Sequence, residues 1–163
     1  MQIGTQAPHL DLEAIATGRR FILSEYRDRT VLLIFVYAYE ARSTRDVVIT
    51  VRRQFPDYNH LPIAIVINLS VVPRLLRGTV TGFMKAAYQE AAADIPSEYN
   101  PADHLILLPD WTGAITRNYG INHSVSALHL VVIDAEQKIG GAFYGKGATE
   151  RVIDIIRGYS DAE

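Results

Sequence analysis

Between residues 37 and 45 the sequence reads YAYEARSTR, and most of these side chains can donate, accept or carry a proton. Tyr37, Tyr39, Glu40, Arg42, Ser43, Thr44 and Arg45 follow directly on an unbroken apolar run and precede a segment with helical apolar spacing. A junction of that kind gathers free backbone N–H groups and the positive end of a helix dipole, which together favour an anion. Ser43 and Thr44 add hydroxyl donors. Arg42 and Arg45 can each hold a carboxylate or phosphate through two parallel bonds, and both can lean over one side of the helix end. The same residues have a plainer use, with Glu40, Ser43 or Thr44 capping the helix and both arginines solvated. Glu40 is the candidate general acid or base. Burial between tyrosines would raise its pKa, whereas two neighbouring arginines would lower it.

Composition removes several other chemistries. The chain has no cysteine, so it can form no disulfide, no thiolate metal site and no thiol nucleophile. A net charge of −2 over 163 residues supplies no general attraction to nucleic acid or to an anionic membrane. Tyr88, Tyr99 and Trp111 do not interleave with a basic stripe, so no nucleic-acid partner is expected. No apolar run reaches the roughly 18–20 residues that span a bilayer. The N-terminal MQIGTQAPHLDLEAIATGRR lacks a charged start followed by an apolar core, so the expected compartment is the cytoplasm. Phosphate-loop, nucleophile-elbow and zinc-protease motifs are missing, and YGKG at 144–147 reads as a turn before a helix.

The elements that must hold the 37–45 stretch follow from periodicity. TGRRFILSEYRDR predicts a short strand or hairpin arm and then a turn. TVLLIFVY (30–37) and LPIAIVINL (61–69) are apolar on both faces, as strands covered on two sides must be. Thr44, Val47, Val48, Val51 and Phe55 mark one amphipathic helix, and Val72, Leu75, Leu76, Val80, Phe83, Met84 and Ala87 a second, interrupted by Gly78 and Gly82. Residues 94–104 read as a loop, LILLPD (105–110) as a short strand, and TGAITRNYG as a helix stopped by Gly120. Residues 128–145 predict a β-hairpin turning at DAEQK, and Val152, Ile153, Ile155 and Ile156 predict a last amphipathic helix. With no linker or repeat, 1–163 is one α/β domain. Its crossover helices impose parallel pairing on the early strands, and the final hairpin is antiparallel.

These phrases, in this order, resemble the thioredoxin-like superfamily, in particular its AhpC/TSA redoxin and TlpA-like groups. Gly4, Ala7, Pro8, Leu10 and Leu12 are similar to the opening G-x-x-A-P-x-F-x-L, with Leu10 in place of Phe. Leu23, Ser24, Tyr26 and Arg27 are similar to the LS-x-Y-R phrase, and Asp110, Gly113, Tyr119, Gly120 and Ile121 to D-x-x-G-x-x-x-x-x-Y-G-V. The resemblance implies a thioredoxin-like fold, a mixed central sheet with helices on both faces, and an N-terminal strand or hairpin extension. It places Glu40 and Ser43 where the family's redox cysteines stand, and Leu128 where its cis-proline stands. The Ala127–Leu128 peptide is therefore expected to be trans, and loop 121–127 to pack near Tyr39 and Glu40. His123 then joins the candidate ligand-binding residues, and with His129 and Glu40 it could complete a zinc set. Sco-type copper chaperones share the fold and a similar histidine phrase at His123 and Ser124, but Glu40 and Thr44 would replace their thiolates, which copper(I) prefers. The two histidines lack a tight metal spacing, so no metal and no cofactor is expected. His9, His60 and His104 fall in loops. The expectation is a redox-inactive protein that binds a small anionic ligand or a protein partner. The alternative is an enzyme that rebuilt the old site with non-thiol chemistry, and homodimer assembly stays open.

Overall fold

The computed structural model describes residues 1–122 and 128–160, apart from the side chains of residues 39, 41 and 42. A short antiparallel hairpin, β1 (Asp11–Glu13) and β2 (Arg20–Ile22), precedes the main sheet. That sheet is built around β3 (Val31–Tyr37), which is buried at every position. β4 (Ile63–Asn68) and β5 (Ile106–Asp110) extend it in parallel on one side. β6 (His129–Ile133) and β7 (Ile139–Tyr144) extend it antiparallel on the other, giving the order β5-β4-β3-β6-β7. The mixed sheet expected from the order of elements is therefore present.

Alternate residues of β3 feed two separate cores. Leu32, Ile34 and Val36 pack toward α1 (Thr44–Gln54), α2 (Arg77–Ala92) and α5 (Ala148–Ser160), meeting Val51, Met84, Val152 and Ile156. Val31, Leu33 and Phe35 face the hairpin and α4 (Ala114–Asn118), meeting Leu10, Phe21, Leu23 and Tyr119. The opening segment lies along β7: the N–H groups of Gly4 and Ala7 donate to the carbonyls of Ile139 and Gln137, each at 2.8 Å.

Two expectations need correction. The stretch 94–104 contains a short helix, α3 (Pro101–His104), with Pro101 in its first turn and Asn100 capping it by accepting the Ala102 N–H at 3.1 Å. The apolar stripe read over 72–87 is a core face only in part: Met84 is buried and Val72 and Val80 pack against the core. A 3₁₀ turn over Arg74–Leu76 leads into α2, so Leu75 and Leu76 stand outside its register. α2 buries Met84 and Tyr88, while Leu75 and Phe83 are 96% and 72% exposed. Gly78 and Gly82 both lie inside the helix rather than breaking it.

The end of β5 is tied to α4 by a buried carboxylate. Asp110, 2% exposed, accepts the backbone N–H and the hydroxyl of Thr116, both at 2.9 Å. Gly113 makes the intervening turn at φ +68°, where an added Cβ would stand 3.1 Å from the Ser70 and Arg117 side chains. Removing the acceptor strands two donors in a dry place. Asp110→Ala should therefore cost about 2–4 kcal/mol in urea unfolding, and Asp110→Asn, which keeps one acceptor oxygen, distinctly less.

Candidate functional site

The parallel strands β3, β4 and β5 finish in register. Tyr37 is paired with Asn68 and Asn68 with Asp110, so three polar residues form a row across the C-terminal strand ends. All three are buried, on the sheet face that carries α4. Asn68 turns the chain by accepting the Ser70 N–H at 3.0 Å and the Ser70 hydroxyl at 2.7 Å. Asp110 is committed to Thr116, so two members of the row already serve the fold. Neither was singled out for chemistry from the sequence, yet each is the polar end of an apolar run, and ligands in open α/β sheets gather at such strand ends.

From Tyr37 the chain does not enter α1 directly. A 3₁₀ turn over Ala38–Ser43 comes first, and the backbone at Ser43 is already helical. The hydrogen-bonded run thus begins six residues before α1, so the open helix start that an anion needs is not formed at Thr44. Ser43 makes no side-chain cap; its hydroxyl donates back to the Glu40 carbonyl at 2.6 Å. Thr44 is buried. Arg45 does not stand over the helix start, because its guanidinium donates to Asp94 just beyond α2 at 2.7 Å. The side chains of Tyr39 and Arg42, and the whole of His123, lie outside the described residues. So do the Ala127–Leu128 bond and most of loop 121–127.

What the fold does build here is a groove of about 310 Å³ between α1, the start of β6 and the turn into α5. Val47, Leu128, Leu130 and Ala148 give it apolar walls, while Glu40, Ser43 and Thr149 supply polar groups beside Gly145. Of the residues proposed from sequence, Glu40 and Ser43 line it, and Tyr37 points to the other face of the sheet. The remaining wall was missed. The turn at 144–147 was read as a mere connection, although it delivers Gly145 to the groove. Leu128, which the sequence places at the start of the hairpin and at the cis-proline position, stands beside the groove.

His129 starts β6 and faces away from the groove, opposite Phe35 on one side and Tyr144 on the other, with its ring 5.1 Å from that of Tyr144. Its Nε2 is buried without a hydrogen-bond partner among the described residues. Burial holds its pKa below the ordinary 6.5, and the nearby Glu40 carboxylate opposes that shift. Glu40 thus stands between the groove and the imidazole. Among the described residues no group of three or more His, Asp or Glu side chains is placed to share a metal ion.

The architecture defines the class: this is a thioredoxin-like fold without thiols. Solved structures of thiol–disulfide proteins are similar to it over almost their whole length. The thioredoxin domain of a thiol-disulfide oxidoreductase from Bacteroides vulgatus has a TM-score of 0.63 at 17% identity, covering 96% of this chain and 99% of that one. The pneumococcal exposed lipoprotein thioredoxin from Streptococcus pneumoniae has a TM-score of 0.62 at 15% identity, covering 93% and 99%. A DsbF homologue from Corynebacterium diphtheriae has 0.62 at 17% identity, covering 97% and 90%. Identities this low establish the fold alone. No protein-family model and no curated protein matches the sequence.

The buried imidazole gives the site a pH signature. The folded state disfavours the protonated His129, so the unfolded chain binds protons first as pH falls through 6.5. Stability from this group is complete above that value and is lost on acidification toward the lower folded pKa. His104, also depressed mainly by burial, acts in the same direction. Urea midpoints measured between about pH 7.5 and 5 should fall with pH. His129→Gln should flatten part of that slope and the double variant with His104→Gln more of it; an unchanged slope in His129→Gln would contradict the assignment.

Proposed function

We propose that this is a redox-inactive thioredoxin-like protein of the redoxin or TlpA-like kind, acting as a binding module at the position of the former thiol site. The observation that carries the reading is the groove beside Glu40. Four apolar walls survive there after the cysteines are gone, enough to take one apolar side chain or the apolar end of a small ligand. The charged group of the described lining is a carboxylate, and Arg45 is engaged by Asp94. The favoured occupant is therefore a neutral or cationic apolar group, on a small molecule or on a partner's peptide, rather than the anion expected from the sequence. Thiol exchange is excluded by composition, because no side chain can form a thiolate or sulfenic acid.

One observation favours a second reading, an enzyme with rebuilt chemistry. The buried Nε2 of His129 near Glu40 is an acid/base pair in outline. Binding and catalysis part on substitution: Glu40→Gln or His129→Gln would abolish turnover but would leave the capture of an apolar fragment largely intact.

The test is an amide chemical-shift screen with apolar amines, apolar acids and short peptides. Shifts should gather at residues 40–47, 128–130 and 145–149, with amines above acids. Ala148→Trp, which fills the groove, should erase them while the circular dichroism spectrum is kept. Fragments that settle elsewhere, or that ignore the tryptophan, would sink the proposal. Insulin reduction should stay at the buffer blank throughout.

A further inference from the structure

α2 is an odd helix for a domain of this size. Over Arg77–Ala92 it buries Met84 and Tyr88, with Val80 and Ala92 only partly buried against the core, although tertiary packing is what ordinarily holds a helix in place. Its outer side is not polar in compensation. Thr79, Phe83 and Ala87 form one exposed row of α2 at steps of four, and Val71 together with Leu75 and Leu76 of the preceding 3₁₀ turn adds further exposed apolar surface.

The neighbouring row of α2 at the same spacing is Gly78, Gly82, Ala86 and Glu90, and every member is exposed, as is Arg74 in the 3₁₀ turn that precedes the helix. Glycine inside a helix costs stability relative to alanine. The chain's own packing does not require either glycine here: a Cβ added to Gly78 or Gly82 would meet nothing within 4 Å. Side by side, the two rows are a ridge centred on Phe83 and a groove floored by Gly78, Gly82 and Ala86. Rows spaced by four are the ones that interlock when two helices cross.

The order of the groove row reveals the occupant. Gly78 and Ala86 stand four residues either side of Gly82, and Arg74 and Glu90 stand eight either side. A copy of the helix laid antiparallel about Gly82 sets each small residue opposite a small residue and brings the 3₁₀ turn that carries Arg74 to the end of α2 that carries Glu90. Neither charge has an ion-pair partner in its own chain among the described residues. We infer that α2 is the dimerisation surface of this protein, pairing with α2 of a second copy around a two-fold axis at Gly82, the ridge of each copy seated in the glycine groove of the other. The pairing is self-complementary in shape and in charge, as a two-fold interface must be. It lies on a different element from the groove beside Glu40 and stands independently of the proposed function.

Sedimentation velocity over a concentration series tests it. The wild type should associate to a dimer. Gly82→Leu, which fills the groove yet favours the helix, and Phe83→Glu, which breaks the ridge, should each raise the dissociation constant about tenfold or more, with far-ultraviolet circular dichroism unchanged. Arg74→Glu and Glu90→Arg should each weaken self-association. An equimolar mixture of those two variants should recover it, because a mixed dimer restores both attractive pairs. A wild type that stays monomeric overturns the inference. So does a dimer indifferent to Gly82→Leu and Phe83→Glu, or a mixture that associates no better than its components.

Discussion

Everything in this molecule depends on the burial of β3 on both faces. Seven consecutive residues from Val31 to Tyr37 are inaccessible, so the chain must supply cover above and below a single strand. It does so with different materials. Three helices, α1, α2 and α5, close one face, and the hairpin with α4 closes the other. Hydrogen bonding adds a second demand, since an interior strand needs a partner along each edge. β4 meets it in parallel and β6 in antiparallel. Where β3 ends, the cover ends too, and the polar stretch from Tyr37 to Arg45 emerges at the rim. The site's location is thus a consequence of core packing and not of any reactive group within it.

That ordering explains how the groove keeps its walls without a thiol. The groove beside Glu40 is formed by Val47, Leu128, Leu130 and Ala148, whose place is fixed by the sheet and by the α1 and α5 packing. No thiol is needed to keep it open. The rim has its own electrostatic character. A carboxylate lines the groove, one arginine is drawn off to Asp94, and an imidazole sits behind, kept largely neutral by burial. The binding role proposed for it would rest on shape and apolar area, with charge as a secondary discriminator.

The short phrases that carried the family resemblance turn out to touch one another. The Tyr119 hydroxyl donates to the Pro8 carbonyl at 2.9 Å, and its ring packs 4.8 Å from Phe35 in the central strand. Burial drives the Tyr119 pKa far up, so the phenol stays a donor. Leu23 donates its N–H to the carbonyl of Leu10, joining the opening phrase to the second one. Asp110 and Gly113 build the turn that sets Tyr119 in place. Phrases separated by more than a hundred residues are therefore parts of one support beneath the sheet, which is why their order and spacing meant more than any one of them.

The fold was legible because burial leaves a strong imprint on sequence. Strands covered on both faces are continuous apolar runs, and β3, β4 and β5 each lie within the segment read for them, differing by one or two residues at the ends. The missing cysteines were equally plain, and they decide what the protein cannot do. The sequence could not show where Arg45 points, because that depends on Asp94, 49 residues away. Nor could it show that the 3₁₀ turn at Ala38–Ser43 occupies the helix start. The second helical stripe located its helix but only part of its buried side: Val80 and Met84 turn inward, whereas Leu75 and Phe83 are exposed. Apolar periodicity records that a face avoids water, and it is silent on whether the same chain or another one covers it. Local periodicity and composition determined the elements and excluded the thiol chemistry. The walls of the groove and the exposed face of α2 were decided only when distant segments packed, since a cavity or a surface belongs to several segments at once.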